Sequence, residues 1–311
     1  MQPVLLQRYH PFDIFSFAQH RQAAGERVVL IIIESVSGAS VRPVWTPMVV
    51  TQSGEYAGYV SNGCVDADIA QHALQVLSEG TVRRVRYGEG SPYMDIKLPC
   101  GGGVSLVLIP DPDADIIQTI CERLEARRHI AVDFSEGVSL SDSVSGSSVP
   151  PKDGYVSYAP PLRILIAGRG ENLVMCVRAA LSLGIECRAF SPQPQDISQI
   201  QAVGGHAEQL AFGAAPDWQL DARCAVVTLF HDHAYELPLL ISALQSEAFY
   251  IGAMGSKAAH KQRLDALSQQ AAELELSRIH GPIGLVPSMR DAGRLAVSVL
   301  AEIIAQEGAP F

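Results

Sequence analysis

The sequence predicts a two-domain α/β chain: an N-terminal α+β domain over residues 1–135, a linker over 136–161, and a C-terminal doubly wound parallel sheet over 162–311. Three observations predict it. The stretch EGVSLSDSVSGSSVPPKDGYVSYAPP (136–161) is rich in Ser, Pro and Gly and poor in large aliphatics, so it buries too little surface to order itself. Beyond it, apolar strand-length runs alternate with helical periodicity. Before it, strands and helices mix without that rhythm. A chain of 311 residues also exceeds what one core usually serves.

In the N-terminal half a helix is expected near Phe12 to Ala24, with Asp13 in its first turn where a carboxylate is favoured. The buried strand VVLIIIES (28–35) follows, then TPMVVT and EYAGYV as a hairpin around Gln52-Ser53-Gly54. After SNGC (61–64) a helix runs from Val65 to Ser78, its stripe formed by Val65, Ile69, Ala73 and Leu77. Strands TVRRVRY (81–87) and YMDIKL (93–98) lead to CGGG (100–103), the strand VSLVLIP (104–110) and a helix from about Asp113 to Arg127.

The C-terminal half begins with the buried strand LRILIAG (162–168), a helix from Glu171 to Leu183 and the strand IECRAF (185–190). Weaker strands near His206 to Ala211 and Ala225 to Leu229 precede the helix ELPLLISAL (236–244), the strand FYIGAM (249–254), and helices at 257–268 and about 290–306. This is the rhythm of a Rossmann-like sheet.

Net charge is −10, which argues against nucleic-acid or membrane-surface partners, because such binding draws on clustered Lys and Arg. The sequence lacks a basic n-region with a long apolar core and any apolar run of spanning length, so a cytoplasmic protein is expected. Six cysteines, without CxxC or zinc spacing, suit reduced thiols.

Two glycine turns could hold a phosphate. In FYIGAMGSK (249–257), Gly252, Gly255, Ser256 and Lys257 stand where a strand gives way to a helix, so turn, helix start and cation coincide. Close packing of the glycines with a solvated Lys257 is the plainer reading. In GRGENL, Gly168 and Gly170 match two glycines of a dinucleotide fingerprint, but Leu173 replaces the third, and Phe190-Ser191 stands where an acidic ribose ligand would close the next strand. That turn is either a phosphate site or a tight connection that binds nothing.

His231, Asp232, His233 and Glu236 contain metal-ligand types, but their place between strand and helix reads as capping or pocket lining. Cys64, after Gly63, and Cys100, before Gly101 and Gly102, sit in glycine-rich loops where nearby amides favour a thiolate; burial as structural cysteines is the alternative. Cys121, Cys176, Cys187 and Cys224 fall inside predicted elements and belong to cores. GxSxG, HExxH and the full P-loop are absent.

Taken together these motifs resemble the XdhC/CoxI family, accessory proteins that mature molybdenum hydroxylases of the xanthine dehydrogenase and aldehyde oxidase type. The resemblance covers nearly the whole chain. It rests on ESVSGASVRP (34–43), GYVSNGCVDADI (58–69), LPCGGGVSLVL (98–108), LRILIAGRGEN, VVTLFHDHAYELPLL, FYIGAMGSKAAHKQRL, IHGPIGL and LAVSVLAEI. It implies a chaperone, not a catalyst, that binds the molybdenum cofactor as molybdopterin or its dinucleotide, supports its sulfuration by a cysteine desulfurase, and inserts it into a molybdenum hydroxylase apoenzyme. On that resemblance Gly63, Cys64, Cys100, Gly101, Gly102 and the two C-terminal turns are the cofactor-binding candidates, with Cys64 and Cys100 as the contacts to molybdenum or sulfur. The family's GSxPRxxG and SGGC stand here as Gly38-Ala39-Ser40-Val41-Arg42-Pro43 and Ser61-Asn62-Gly63-Cys64. An NAD(P)-dependent oxidoreductase and a noncatalytic scaffold are the alternatives. A homodimer is the expected assembly, shielding an air-sensitive cofactor.

Overall fold

The computed structural model describes residues 10–38, 40, 42–63, 65–91, 102–140, 154–230 and 232–307, with the backbone alone of His233. They form two compact units that divide after Pro160.

The N-terminal unit runs α1 (Pro11–Ala23), β1 (Val28–Ser37), β2 (Pro47–Thr51), β3 (Tyr56–Ala57), α2 (Asp66–Glu79), β4 (Arg83–Gly88), β5 (Gly103–Pro110), α3 (Ala114–Glu125), β6 (Ile130–Asp133), β7 (Ser139–Leu140) and β8 (Tyr155–Tyr158). The sheet β3-β2-β1-β5-β4 is antiparallel, with β1 at its centre. Alternation of side chains explains why β1 is apolar throughout. Val28, Leu30 and Ile32 enter one core with α1 and α3, while Val29, Ile31 and Ile33 enter another under α2. The strand feeds both faces of its sheet.

Two elements appear where a linker was expected. β7 and β8, within 136–161, pair antiparallel with β6, and Val156 and Tyr158 are buried beside Phe15 and Phe134. Residues 141–153, and the expected strand at 93–98, lie outside the described residues.

The C-terminal unit runs β9 (Arg163–Gly168), α4 (Gly170–Ser182), β10 (Glu186–Ser191), α5 (Pro194–Ala202), β11 (His206–Gln209), β12 (Cys224–Leu229), α6 (His233–Leu244), β13 (Tyr250–Ala253), α7 (Lys257–Gln270), a 3-10 turn (Leu276–Arg278), β14 (Ile279–His280) and α8 (Ala292–Glu307). Its six strands are parallel in the order β11-β10-β9-β12-β13-β14, the doubly wound arrangement in which the chain starts in the middle and winds outward both ways. Ile164 and Ile166 face α4 and α8, whereas Leu165 and Ala167 face α6 and α7. The mixed α/β class expected from sequence, with a Rossmann-like C-terminal sheet, is the observed one. α5 was not anticipated, because PQDISQIQA carries only two large aliphatics, Ile197 and Ile200.

Cys121, Cys176, Cys187 and Cys224 are buried, as expected. Burial pushes the Cys176 thiol up to about 12, and burial with Glu125 and Glu122 nearby does the same to Cys121. Neither supplies thiolate near neutral pH. No helix among the described residues is long and apolar enough to cross a membrane.

Candidate functional site

In a doubly wound sheet ligands bind outside the carboxyl ends of the strands, and both glycine turns lie there. The first follows β9. Gly168 packs so tightly on β12 that a Cβ would stand 2.7 Å from the Leu229 Cβ, and Gly170 takes a left-handed φ of 72° at the start of α4. The Gly170 N–H, however, donates at 2.9 Å to Asp196 Oδ2, and the Ser191 hydroxyl donates to the same oxygen at 2.7 Å. Asp196 is buried. A phosphate sharing that amide would meet the carboxylate at close range, a repulsion of about 4 kcal/mol at an effective dielectric near 20. Glu171 in the first turn of α4 adds to the mismatch.

The second turn has the opposite character. Gly252 is not part of it: it lies in β13, where a Cβ would come within 2.7 Å of Ile283 Cγ2 and of the Tyr250 hydroxyl, so its smallness serves packing. Gly255 makes the turn at φ 149°, and Ser256 caps α7 by accepting the Ala259 N–H at 3.1 Å. The first turn of α7 carries no acidic residue, unlike α4 and α6. Lys257, exposed, is the first residue of α7, and Lys261, also exposed, stands one turn on, at a helix start that leaves amides unpaired.

Beneath this turn lies a buried network that the sequence did not reveal. Arg263 and Glu236 have side chains 1% exposed and pair at 2.8 Å through Nε and Oε2. Thr228 donates to Glu236 Oε1 at 2.8 Å, and Arg263 Nη2 donates to the Met254 carbonyl at 2.6 Å, one residue before Gly255. Glu236, considered for a metal, is instead the counter-ion that holds Arg263 under the turn. Among the described residues no cluster of three or more His, Cys, Asp or Glu could hold a metal. His231 and the His233 side chain lie outside the described set; Asp232 caps α6 through the Ala234 N–H at 2.9 Å.

The IHGPIGL segment packs beside β13 and α7. The His280 ring stacks on Tyr250 with centroids 4.7 Å apart, and Gly281 approaches His260 so closely that a Cβ would stand 2.2 Å from its Nδ1. Burial, then the Arg263 charge, lowers the His260 pKa against the opposing pull of Glu236. The sign follows: the unfolded imidazole takes a proton as pH falls through its ordinary 6.5 while the folded one resists. Stability should therefore decline below that pH, and His260→Gln should flatten the decline when melting temperatures at about pH 7.5 and 5.5 are compared. An unchanged slope would assign the acid sensitivity elsewhere.

In the N-terminal unit the segment 60–63 is wound around one carboxylate. Asp66 accepts the N–H groups of Val60 and Ser61 at 2.9 Å and of Gly63 at 2.5 Å, while the Ser61 hydroxyl accepts the Val65 N–H at 2.8 Å. Asn62 and Gly63 take left-handed φ values of 58° and 100°. In the first turn of α2, Asp68 accepts the Tyr87 hydroxyl at 2.7 Å, and Tyr87 on β4 is paired with Val104 on β5, two residues after Gly102. The structure thus brings Gly63 and Gly102 to the same end of the sheet. Cys64, Cys100 and Gly101 lie outside the described residues.

Comparison with known proteins matches residues 164–303 to the XdhC Rossmann domain and residues 21–88 to the XdhC and CoxI family. Over 297 residues the chain is 33% identical to the molybdenum cofactor insertion chaperone PaoD of Escherichia coli (strain K12), covering 93% of this chain and 86% of that one. The chain belongs to the XdhC and CoxI family. A second relative, a Bacillus subtilis (strain 168) protein named as a probable xanthine dehydrogenase subunit, is 22% identical over 326 residues, 90% of this chain and 93% of its own. A Bacillus halodurans chain described as a xanthine dehydrogenase, solved at 2.80 Å, shares the fold with a TM-score of 0.75 at 20% identity, over 97% of this chain and 98% of that one. For this XdhC and CoxI family member the family resemblance read from its motifs is therefore shown, and the two glycine turns both fall inside the matched Rossmann domain.

Proposed function

We propose that this chain is a maturation chaperone that holds the molybdenum cofactor as cargo and inserts it into a molybdenum hydroxylase apoenzyme. The observation that carries the reading is the 33% identity, across 93% of the chain, to a relative named for molybdenum cofactor insertion. The chemistry of the second turn supports it: amides at a helix start, Ser256 and Lys257, without a carboxylate in the first turn, suit the phosphate of a molybdopterin or its dinucleotide. Gly255, Ser256 and Lys257 would hold that phosphate. Cys64, next in sequence to Gly63, and Cys100, two residues before Gly102, are assigned to contact with molybdenum or with sulfur delivered by a cysteine desulfurase. The Asp196 carboxylate at the Gly168–Gly170 turn disfavours the NAD(P) oxidoreductase reading.

The test is reconstitution. Cofactor-loaded protein should activate a molybdenum hydroxylase apoenzyme faster than free cofactor does, and Lys257→Ala should reduce the cofactor it carries by about tenfold, the loss of a charge-assisted phosphate contact. A Lys257→Ala variant that loads and transfers normally would remove the phosphate from this turn. Activation without any bound cofactor would favour a scaffold.

A further inference from the structure

We infer that the crevice between β9 and β12 binds a flat fused heterocycle with a 2-amino-4-oxopyrimidine edge, stacked beside Phe212, Tyr235 and Arg169. This rests on the chaperone reading above and assigns the part of the cargo that the α7 start does not.

The position follows from topology. After β9 the chain enters α4 on one face of the sheet, and after β12 it enters α6 on the other, so the two helices diverge and leave a crevice between adjacent strands. Aromatic rings stand at the carboxyl end of β12, on its α6 side. Phe230 and Tyr235 are stacked with centroids 5.4 Å apart and planes at 10°, and Phe212 meets Tyr235 edge-on at 5.0 Å. Phe212 is 70% exposed. It follows β11, three strands from β12, so its loop leans about 14 Å across the carboxyl edge to reach Tyr235. A large apolar ring left in water at such a mouth has free surface for a ligand.

Polar groups nearby are poorly satisfied. The Arg169 guanidinium lies 5.1 Å from the Tyr235 centroid and 5.6 Å from that of Phe230. Its Nη2 is buried without a hydrogen bond among the described residues, and Asp232 Oδ2 stands off at 4.0 Å. Asn172 gives its amide to the Met254 sulfur at 3.6 Å, a weak acceptor. The Arg169 side chain, 39% exposed, and Asn172 thus offer donors, and the half-exposed Asp232 offers an acceptor. A flat ring with a carbonyl beside an amino and a ring N–H complements that set, as pterin and guanine do and adenine does not. Met254, one residue before the Gly255 turn, joins this crevice to the anion site.

The test uses unsubstituted pterin, fluorescent and free of phosphate, titrated into the full chain. Saturable quenching is expected, with guanosine monophosphate competing and adenosine monophosphate competing at least tenfold more weakly. Phe212→Ala should weaken pterin by about tenfold, the loss of one stacking partner, and Phe212→Trp should restore it. Lys257→Ala should weaken the phosphate-bearing guanosine monophosphate and leave pterin unchanged. No quenching, equal competition by the adenine nucleotide, or Phe212→Ala binding like the parent would each overturn the inference. If Phe212→Ala is neutral while the purified chain still carries cofactor, the crevice assignment falls and the chaperone reading stands. If pterin binds through Phe212 but no cofactor is carried, the reverse holds.

Discussion

Arg263→Ala is expected to destabilise the C-terminal unit by about 3–5 kcal/mol, because it leaves Glu236 as an uncompensated buried charge and the Met254 carbonyl without its donor. Chemical denaturation with the fluorescence of Trp218, buried against Phe190 on that sheet, would report the loss. The double variant Arg263→Met with Glu236→Leu should recover most of the stability, since removing both charges also removes their desolvation cost. Recovery of fold without recovery of cofactor loading would show that the ion pair's contribution is to the shape of the Met254–Ser256 turn. A single variant as stable as the parent would mean that water reaches Glu236 and the pair is not buried in solution.

Asp66→Ala should cost about 3 kcal/mol or more, because one carboxylate satisfies three backbone N–H groups, each expensive to leave unpaired. For a unit of this size that corresponds to a drop of roughly 6–12 °C in Tm. Asp66→Asn, which keeps one acceptor oxygen, should cost less. Scanning calorimetry of the three chains checks the order. Equal melting of Asp66→Ala and the parent would show that the segment 60–63 is held by something other than this carboxylate.

The fold was largely legible because its signals are local and repeated. Strand-length apolar runs such as VVLIII and RILIAG, and helix starts at Asp113 and Ser256, depend on a few neighbouring residues. β6, β7 and β8 were not legible, because IAVD, SL and YVSY are too short to carry periodicity and gain stability from pairing with one another. The site was half legible. Gly255, Ser256 and Lys257 were visible as a strand-to-helix turn with a cation, whereas Gly252 looked like part of that turn and is a packing residue of β13.

Asp196 and Asp66 were missed for one reason: a carboxylate that turns back to cap a preceding loop looks in sequence like any surface acid. Their signals were present as spacing, Asp66 two residues after Cys64 at a helix start and Asp196 five residues after the strand end Ser191. Arg263 gave no signal, and Glu236 showed only as a metal-ligand type beside His231 and His233. Charged residues on helices are ordinarily solvated, and their burial depends on α6 and α7 meeting over the same strands.

The central claim is that this chain carries the molybdenum cofactor, and its pterin is measurable. The protein should be purified from a host that makes the cofactor, oxidised, and assayed for fluorescent pterin per folded chain. A content approaching one pterin per chain, reduced in Lys257→Ala, is the predicted result. Folded protein that yields no pterin under those conditions would contradict it.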